Sequence, residues 1–316
     1  MRGSDGGLGE RHTRSGGPRM GRNGEGVASE TLFHKRQGRN RSSDAKDTLH
    51  AKPAMATSEA FSDVKALAFD VFGTCVNWQK TVPEELSASF ASKANSSSVP
   101  ATLRERSAAL SRQGCKDLAL QWAASYAKFT ASFVPGVTPW KDVDTHYFDS
   151  LVTLLEEQGL REAYSEEEIR ELSLAWHRLE PWHDAAEGLR RLRGKFTTAA
   201  LSNGNQEILR DLNRMLDGGF AVLLSAADFG AYKPRPAVYS GAADALGAGT
   251  GEVALVAAHL YDLEAARSHG WKTVYVERPN EERWPKERVE EAKAWVDVWV
   301  SADEEGFLEL ARSLGC

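Results

Sequence analysis

Four polar groups in this 316-residue chain follow runs of apolar residues, where a buried strand would deliver them to solvent. Asp70 follows Ala-Leu-Ala-Phe and opens Asp70-Val-Phe-Gly-Thr74. Ser202 and Asn203 follow Thr-Ala-Ala-Leu, Lys233 stands in Gly230-Ala-Tyr-Lys233-Pro, and Asp262 closes Val-Ala-Ala-His259-Leu-Tyr. Singly, an acid or Ser/Asn after a strand ordinarily caps a turn or helix, and a lone lysine ordinarily faces water. Together they supply a carboxylate, hydroxyls, an ammonium and a second carboxylate, in order, each from its own strand. If they converge, Lys233 keeps Asp70 ionised, and the hydroxyls of Thr74 and Ser202 donate to anionic oxygens. That is the equipment of a carboxylate nucleophile.

Convergence needs a sheet. Val64 to Phe72 is a near-continuous apolar run broken by Asp70, as in a strand buried on both faces of a parallel sheet. From about 82 to 182 the spacing turns helical, with helices expected over 103–110, 118–133, 147–158 and 166–179. Trp122, Trp140, Trp176 and Trp182 are expected to pack this insert or its hinge. Beyond Pro181, strands are expected at 196–201, 221–225, 253–257, 273–276 and 296–300, and helices at 207–216, 237–246 and 263–269. Alternation of this kind predicts an α/β fold, a doubly wound parallel sheet with an inserted helical cap. In such a sheet ligands sit beyond the carboxyl ends of the strands, where the four groups fall. The domains expected are a core of 62–81 with 183–316 and a cap of 82–182.

Residues 1–61 are rich in Gly, Arg and Ser without hydrophobic period and read as a disordered extension. Residues 1–54 carry eleven Lys/Arg and six Asp/Glu, so the rest of the chain is strongly acidic within an overall net charge of -6. That charge argues against nucleic acid as a partner, and no apolar run is long enough for a membrane helix. Cys75, Cys115 and Cys316 are scattered without metal-ligand spacing and fit a reducing compartment. The expectation is a cytoplasmic protein, with an organellar address in the extension left open. Cys75 reads as a small buried hydrophobe, and His177 and His183 read as structural.

Asp70-Val-Phe-Gly-Thr74, Leu201-Ser-Asn-Gly204, Tyr232-Lys-Pro234 and Ala257-Ala-His-Leu-Tyr-Asp262 resemble the four motifs of the haloacid dehalogenase superfamily. His177-Arg-Leu-Glu-Pro-Trp182 and Lys233-Pro-Arg-Pro-Ala-Val-Tyr239 resemble its type II group, the L-2-haloacid dehalogenases. The resemblance covers about 62–280. It implies a Rossmann-like core and attack by Asp70 on a carbon–halogen bond of a small anionic substrate. An aspartyl ester results, which water then hydrolyses.

The catalytic set implied is Asp70, Thr74, Lys233 and Asp262, the last positioning the water or Lys233. Phe72, Ser202, Asn203, Tyr239 and His259 face substrate, with Asn203 near the departing halide. No metal or cofactor is implied, and homodimerisation is.

Two positions set the chain apart from the superfamily's phosphatases. Phe72 stands where they carry a general acid, and Ala258 where they commonly carry a further ligand for Mg²⁺. A third sets it apart from type II enzymes, whose cap arginine shortly after a tryptophan draws out the halide. Ala123 stands there, after Trp122, so another cation such as Lys128 must fill in, or haloacids are not the substrate. His259 offers a base for the water or a structural hydrogen bond. The alternatives are a superfamily phosphatase and a non-catalytic binding relative.

Overall fold

A computed structural model describes residues 59–249 and 251–316. The extension expected over 1–61 lies outside the described residues as far as 58. Six strands form one parallel sheet, β1 (Ala66–Phe69), β2 (Thr197–Ser202), β3 (Val222–Ser225), β4 (Val253–Ala257), β5 (Lys272–Val276) and β6 (Val298–Val300). Their order is β3-β2-β1-β4-β5-β6. Every residue of β1 and β4 is buried, which is why these strands read as unbroken apolar runs rather than alternating ones. The order reverses between β1 and β4, and the crevice beyond their carboxyl ends is where such a sheet binds ligands.

Between β1 and β2 the chain contains no strand of the sheet. It forms α1 (Trp78–Asn95), α2 (Ala101–Ala108), α3 (Arg112–Ser132), α4 (Val143–Glu157) and α5 (Glu166–Ser173), followed by a 3₁₀ turn over Leu174–His177. The sequence reading named no helix corresponding to α1. Pro83 lies inside it and Ser and Ala fill much of the rest, which masks the four-residue spacing of Trp78, Val82, Leu86 and Phe90, the residues whose burial holds it. The expected helix over 166–179 ends early, its last turn tightening to 3₁₀. A capping box of Ser165 and Glu168 starts it.

After β1 and the insert come α6 (Ala185–Leu192), α7 (Gln206–Met215), α8 (Pro236–Leu246), α9 (Leu260–Ser268), α10 (Lys286–Ala292) and α11 (Gly306–Ser313), threaded among the strands. No helix of the described residues is long and apolar enough to cross a membrane.

Trp122 and Trp176 are fully buried. Trp176 stacks on Tyr147 with ring centroids 4.3 Å apart and meets Trp122 edge-on at 5.5 Å. Such pairs contribute about 0.5–1.5 kcal/mol each beyond burial. Trp182 donates from Nε1 to the Gly73 carbonyl at 2.9 Å, pinning the chain's return from the insert to the loop after β1. Trp140 packs at the hinge rather than inside the insert. It is 40% exposed and lies flat on Tyr232, next to Lys233.

His177 is structural, bridging Asp144 of α4 at 3.0 Å and Asp211 of α7 at 2.7 Å, while His183 is exposed. Arg278 grips Asp184 with two parallel bonds of 2.7 and 2.8 Å and donates from Nε to the Thr74 carbonyl at 3.1 Å. This buried fork fixes the far end of the loop after β1.

Candidate active site

Asp70 is the residue after β1, its backbone N–H still paired to Val256 of β4 at 3.0 Å. The strand therefore sets the position of its carboxylate. The chain then turns through Gly73, whose φ of +77° suits glycine. Thr74 returns beneath Asp70 and donates to Oδ2 at 2.7 Å, while its Oγ1 accepts the Ala258 N–H at 2.9 Å. A β-carbon at Gly73 would lie 2.3 Å from Glu281 Oε2, so glycine here also admits a side chain from the loop after β5.

Lys233 Nζ lies 2.7 Å from Asp70 Oδ1 and 2.6 Å from Asp262 Oδ2. Burial raises the Asp70 pKa, but Lys233 and His259 outweigh it and hold the carboxyl well below the usual carboxylate range. Burial likewise opposes charge on Lys233, yet Asp262 and Asp70 keep the ammonium protonated far above neutral pH. The Asp70 carboxyl is thus held as an anion.

Asn203 is a positioning residue as well as a wall. Its Oδ1 accepts the Lys233 N–H at 2.6 Å and its Nδ2 donates to the Lys233 carbonyl at 3.4 Å. Ser202 accepts the Gly204 N–H at 3.1 Å, and its own O–H has no acceptor among the described residues, which leaves it for a ligand.

His259 Nδ1 lies 2.9 Å from Asp70 Oδ2 and Nε2 lies 3.2 Å from Glu281 Oε2. Burial disfavours the imidazolium, but the two carboxylates push its pKa up to about 10. Of the two expectations for His259, a base for water or a structural hydrogen bond, the geometry shows the second, a ring bridging Asp70 and Glu281.

Asp70, Phe72, Ser202, Asn203, Lys233 and His259 line one cavity of about 200 Å³. The far wall comes from the insert, through Ala123, Tyr126, Ala127, Tyr147 and Trp176, and Trp78, Tyr261, Glu281, Glu282 and Arg283 complete it. Asp262 and Tyr239 stand behind this wall. Asp262 touches Lys233, and Tyr239 donates to Asp262 Oδ1 at 2.5 Å from a fully buried ring. Tyr239 therefore supports the lysine rather than facing substrate, a correction that follows from its place on the inner face of α8.

Lys128 also lies elsewhere, in a separate cavity with Lys141, His146 and Asp149, so it does not replace a cap arginine. The sequence reading missed Glu281, Arg283 and Tyr126. Glu281 was findable, since it follows β5 as Asp70 follows β1, but four residues of loop intervene. Cys75 is buried and its thiol is pushed up by burial, in keeping with a packing role.

The haloacid dehalogenase-like hydrolase model matches residues 64–270. The chain belongs to the haloacid dehalogenase-like hydrolases. Among curated relatives, (S)-2-haloacid dehalogenase 4A of Burkholderia cepacia is 39% identical over 114 residues, 34% of this chain and 48% of that protein. The chain spans about half the length of the curated relatives it matches.

The crystal structure of an L-2-haloacid dehalogenase superposes with a TM-score of 0.63 at 31% identity, covering 80% of this chain and 99% of that one. A defluorinating L-2-haloacid dehalogenase gives 0.62 at 27% identity, covering 80% and 96%. In this haloacid dehalogenase-like hydrolase the donor set does not suit the Mg²⁺ of the family's phosphatases. The Lys233 ammonium fills the space between Asp70 and Asp262, and Phe72 and Ala258 add no side-chain oxygen. No group of three or more His, Cys, Asp or Glu among the described residues is arranged to hold a metal.

Proposed function

We propose that this hydrolase is an (S)-2-haloacid dehalogenase, acting on short 2-haloalkanoic acids through a covalent ester on Asp70. One observation carries the reading. A buried lysine holds the Asp70 carboxylate ionised, while the residue two positions on, facing the same cavity, is Phe72. An alcohol leaving from phosphorus needs a proton from that position, and a halide leaving from carbon needs none.

In the first step an Asp70 oxygen displaces halide from the carbon next to the substrate carboxylate, inverting that centre. In the second, water attacks the ester carbonyl, returning Asp70 and releasing a 2-hydroxy acid. Ser202 and Lys233 offer donors to the substrate carboxylate, and Asn203 lies where the halide departs. With Ala123 on the cap wall, the cations on the cavity are Lys233, His259 and Arg283 among the described residues. The roles of Thr74, Asp262 and Tyr239 in this reading are to hold Asp70 and Lys233 in register. The proposal also covers a core of 62–81 with 183–316, a cap of 82–182, cytoplasmic residence and a homodimer, on the strength of sheet order, free cysteines and family resemblance.

The test is incubation with the enantiomers of 2-chloropropionate and with a generic phosphate ester, with and without Mg²⁺. Halide release from the (S) acid without metal, abolished in Asp70→Ala, is the expected result. Mg²⁺-dependent phosphate release would replace this reading with that of a phosphatase. Binding of the acid without turnover would replace it with that of a non-catalytic relative.

A further inference from the structure

The hydrogen bonds around Asp70 are unequal. Oδ2 accepts two, from Thr74 Oγ1 at 2.7 Å and from His259 Nδ1 at 2.9 Å. Oδ1 accepts one, from Lys233 Nζ at 2.7 Å. A carboxylate oxygen has two in-plane acceptor sites, so Oδ2 is saturated and Oδ1 retains a free lone pair. Only the oxygen with a lone pair to spare can attack carbon.

We propose that Asp70 attacks through Oδ1, and that His259, held by Glu281, forms with Thr74 the oxyanion site for hydrolysis of the resulting ester. This rests on the dehalogenase reading above and assigns the second half-reaction, which that reading leaves to water alone, to His259, Thr74 and Glu281.

In the first step Oδ1 bonds to the substrate carbon and the halide leaves with the carbon–halogen pair. Oδ2 becomes the ester carbonyl oxygen, still between Thr74 and His259. When water adds to Cγ, the carbonyl pair moves onto Oδ2, where a hydroxyl and an imidazolium N–H already point. Preorganised donors of this kind act on charge that develops only in the transition state. The Cγ–Oδ1 bond then breaks. One proton of the water ends on Oδ1, where Lys233 already donates, and the other goes to solvent as Asp70 ionises again. The product alcohol carries Oδ1 away, and the water oxygen replaces it.

Glu281 is what this step needs. Esterification removes the negative charge of Asp70, and with it one of the two carboxylates that keep the imidazole protonated. Glu281 is the other. It is 3% exposed and held by Trp78 Nε1 at 3.3 Å and Gln79 Nε2 at 2.9 Å, with His259 Nε2 at 3.2 Å. A buried acid so placed keeps the imidazolium charged through the ester state. It is a positioning residue, and His259 is a catalytic one.

The experiment is rapid-quench halide release from (S)-2-chloropropionate, with mass analysis of the Asp70 peptide. The wild type should turn over without accumulating ester. His259→Ala should release about one halide per site in a first phase, then slow about 10²–10³-fold relative to that phase, with the Asp70 peptide carrying the ester. His259→Gln, which keeps one N–H donor, should recover part of that loss and guards against misfolding of the alanine variant.

Glu281→Gln should move the alkaline limb of steady-state turnover to lower pH, a shift that a merely structural role would not produce. The groups facing His259 are Asp70 just after β1, Glu281 from the loop after β5, Tyr261 from its own helix and Lys233 across Asp70, with Glu282 and Arg283 lining the same cavity.

Loss of the burst together with steady turnover in both His259 variants would overturn the assignment, as would wild-type turnover in either or an unmoved limb in Glu281→Gln. A wild type that releases no halide at all overturns the dehalogenase reading and this inference with it, and is seen before any variant is made.

Discussion

Replacing Lys233 with methionine keeps the length of the side chain and deletes its charge. At 2.7 Å from Asp70 and an effective dielectric of about 20, the lost attraction is about 6 kcal/mol. His259 remains as a counter-charge, so the net effect is smaller. A third of that figure, about 2 kcal/mol, still raises the Asp70 pKa by more than one unit. The sign is definite. The chemistry needs the carboxylate, wild-type Asp70 stays ionised to very low pH, and without Lys233 activity is lost at a higher pH as the medium is acidified.

We expect halide release at pH 7 to fall at least about 10³-fold, because the attacking oxygen also loses its one hydrogen-bond donor among the described residues. The variant should also be about 3–5 kcal/mol less stable, since Asp262 is left buried without a cation. Lys233→Met combined with Asp262→Asn removes the orphaned charge and should recover most of the melting temperature but not the activity. Halide release against pH and thermal melts of the two variants decide the matter. Activity within tenfold of wild type, with an unmoved acid limb, would refute the reasoning.

Two further predictions concern the frame. Asp184→Asn breaks the buried fork to Arg278 and should cost about 3–5 kcal/mol, read by chemical denaturation. Burial raises the Asp184 pKa, but Arg278 and the Phe307 N–H outweigh it, so its contribution is present above the ordinary carboxylate range and lost as pH falls through its lowered value. The variant should therefore show a flatter acid side in stability against pH. His177, between Asp144 and Asp211, has the opposite sign. Burial lowers its pKa, the two acids raise it further, and the net shift is upward. Its contribution is complete below about pH 6.5 and lost as pH rises through the raised value, and His177→Gln should abolish that alkaline loss in melts from pH 5 to 9.

Much of this molecule is written in local sequence. The apolar runs ending at Phe69, Leu201 and Ala257 are strands because they are buried on both faces, and their carboxyl ends hold Asp70, Ser202 and His259 at the crevice. What was not legible depends on packing between distant segments. Trp78–Asn95 is a helix because the insert covers one side of it. Glu281 reaches His259 because Gly73 leaves room and Trp78 and Gln79 supply donors, a meeting of segments some 200 residues apart.

Lys128 was a legible error. At 100° per residue it points about 140° away from Ala123, whereas Tyr126 and Ala127 share the face of Ala123 and do line the cavity. Tyr239 was legible only in part. Its distance from Lys233 places it on α8, but only the tertiary structure turns its hydroxyl to Asp262 rather than to substrate.

The central claim is that an oxygen of Asp70 becomes bonded to substrate carbon. A single turnover of (S)-2-chloropropionate in heavy-oxygen water, with enzyme in excess, tests it directly. The account predicts the label on the Asp70 peptide and an unlabelled hydroxyl in the product. Label in the product hydroxyl with Asp70 unlabelled would mean that water displaces the halide itself, and would contradict it.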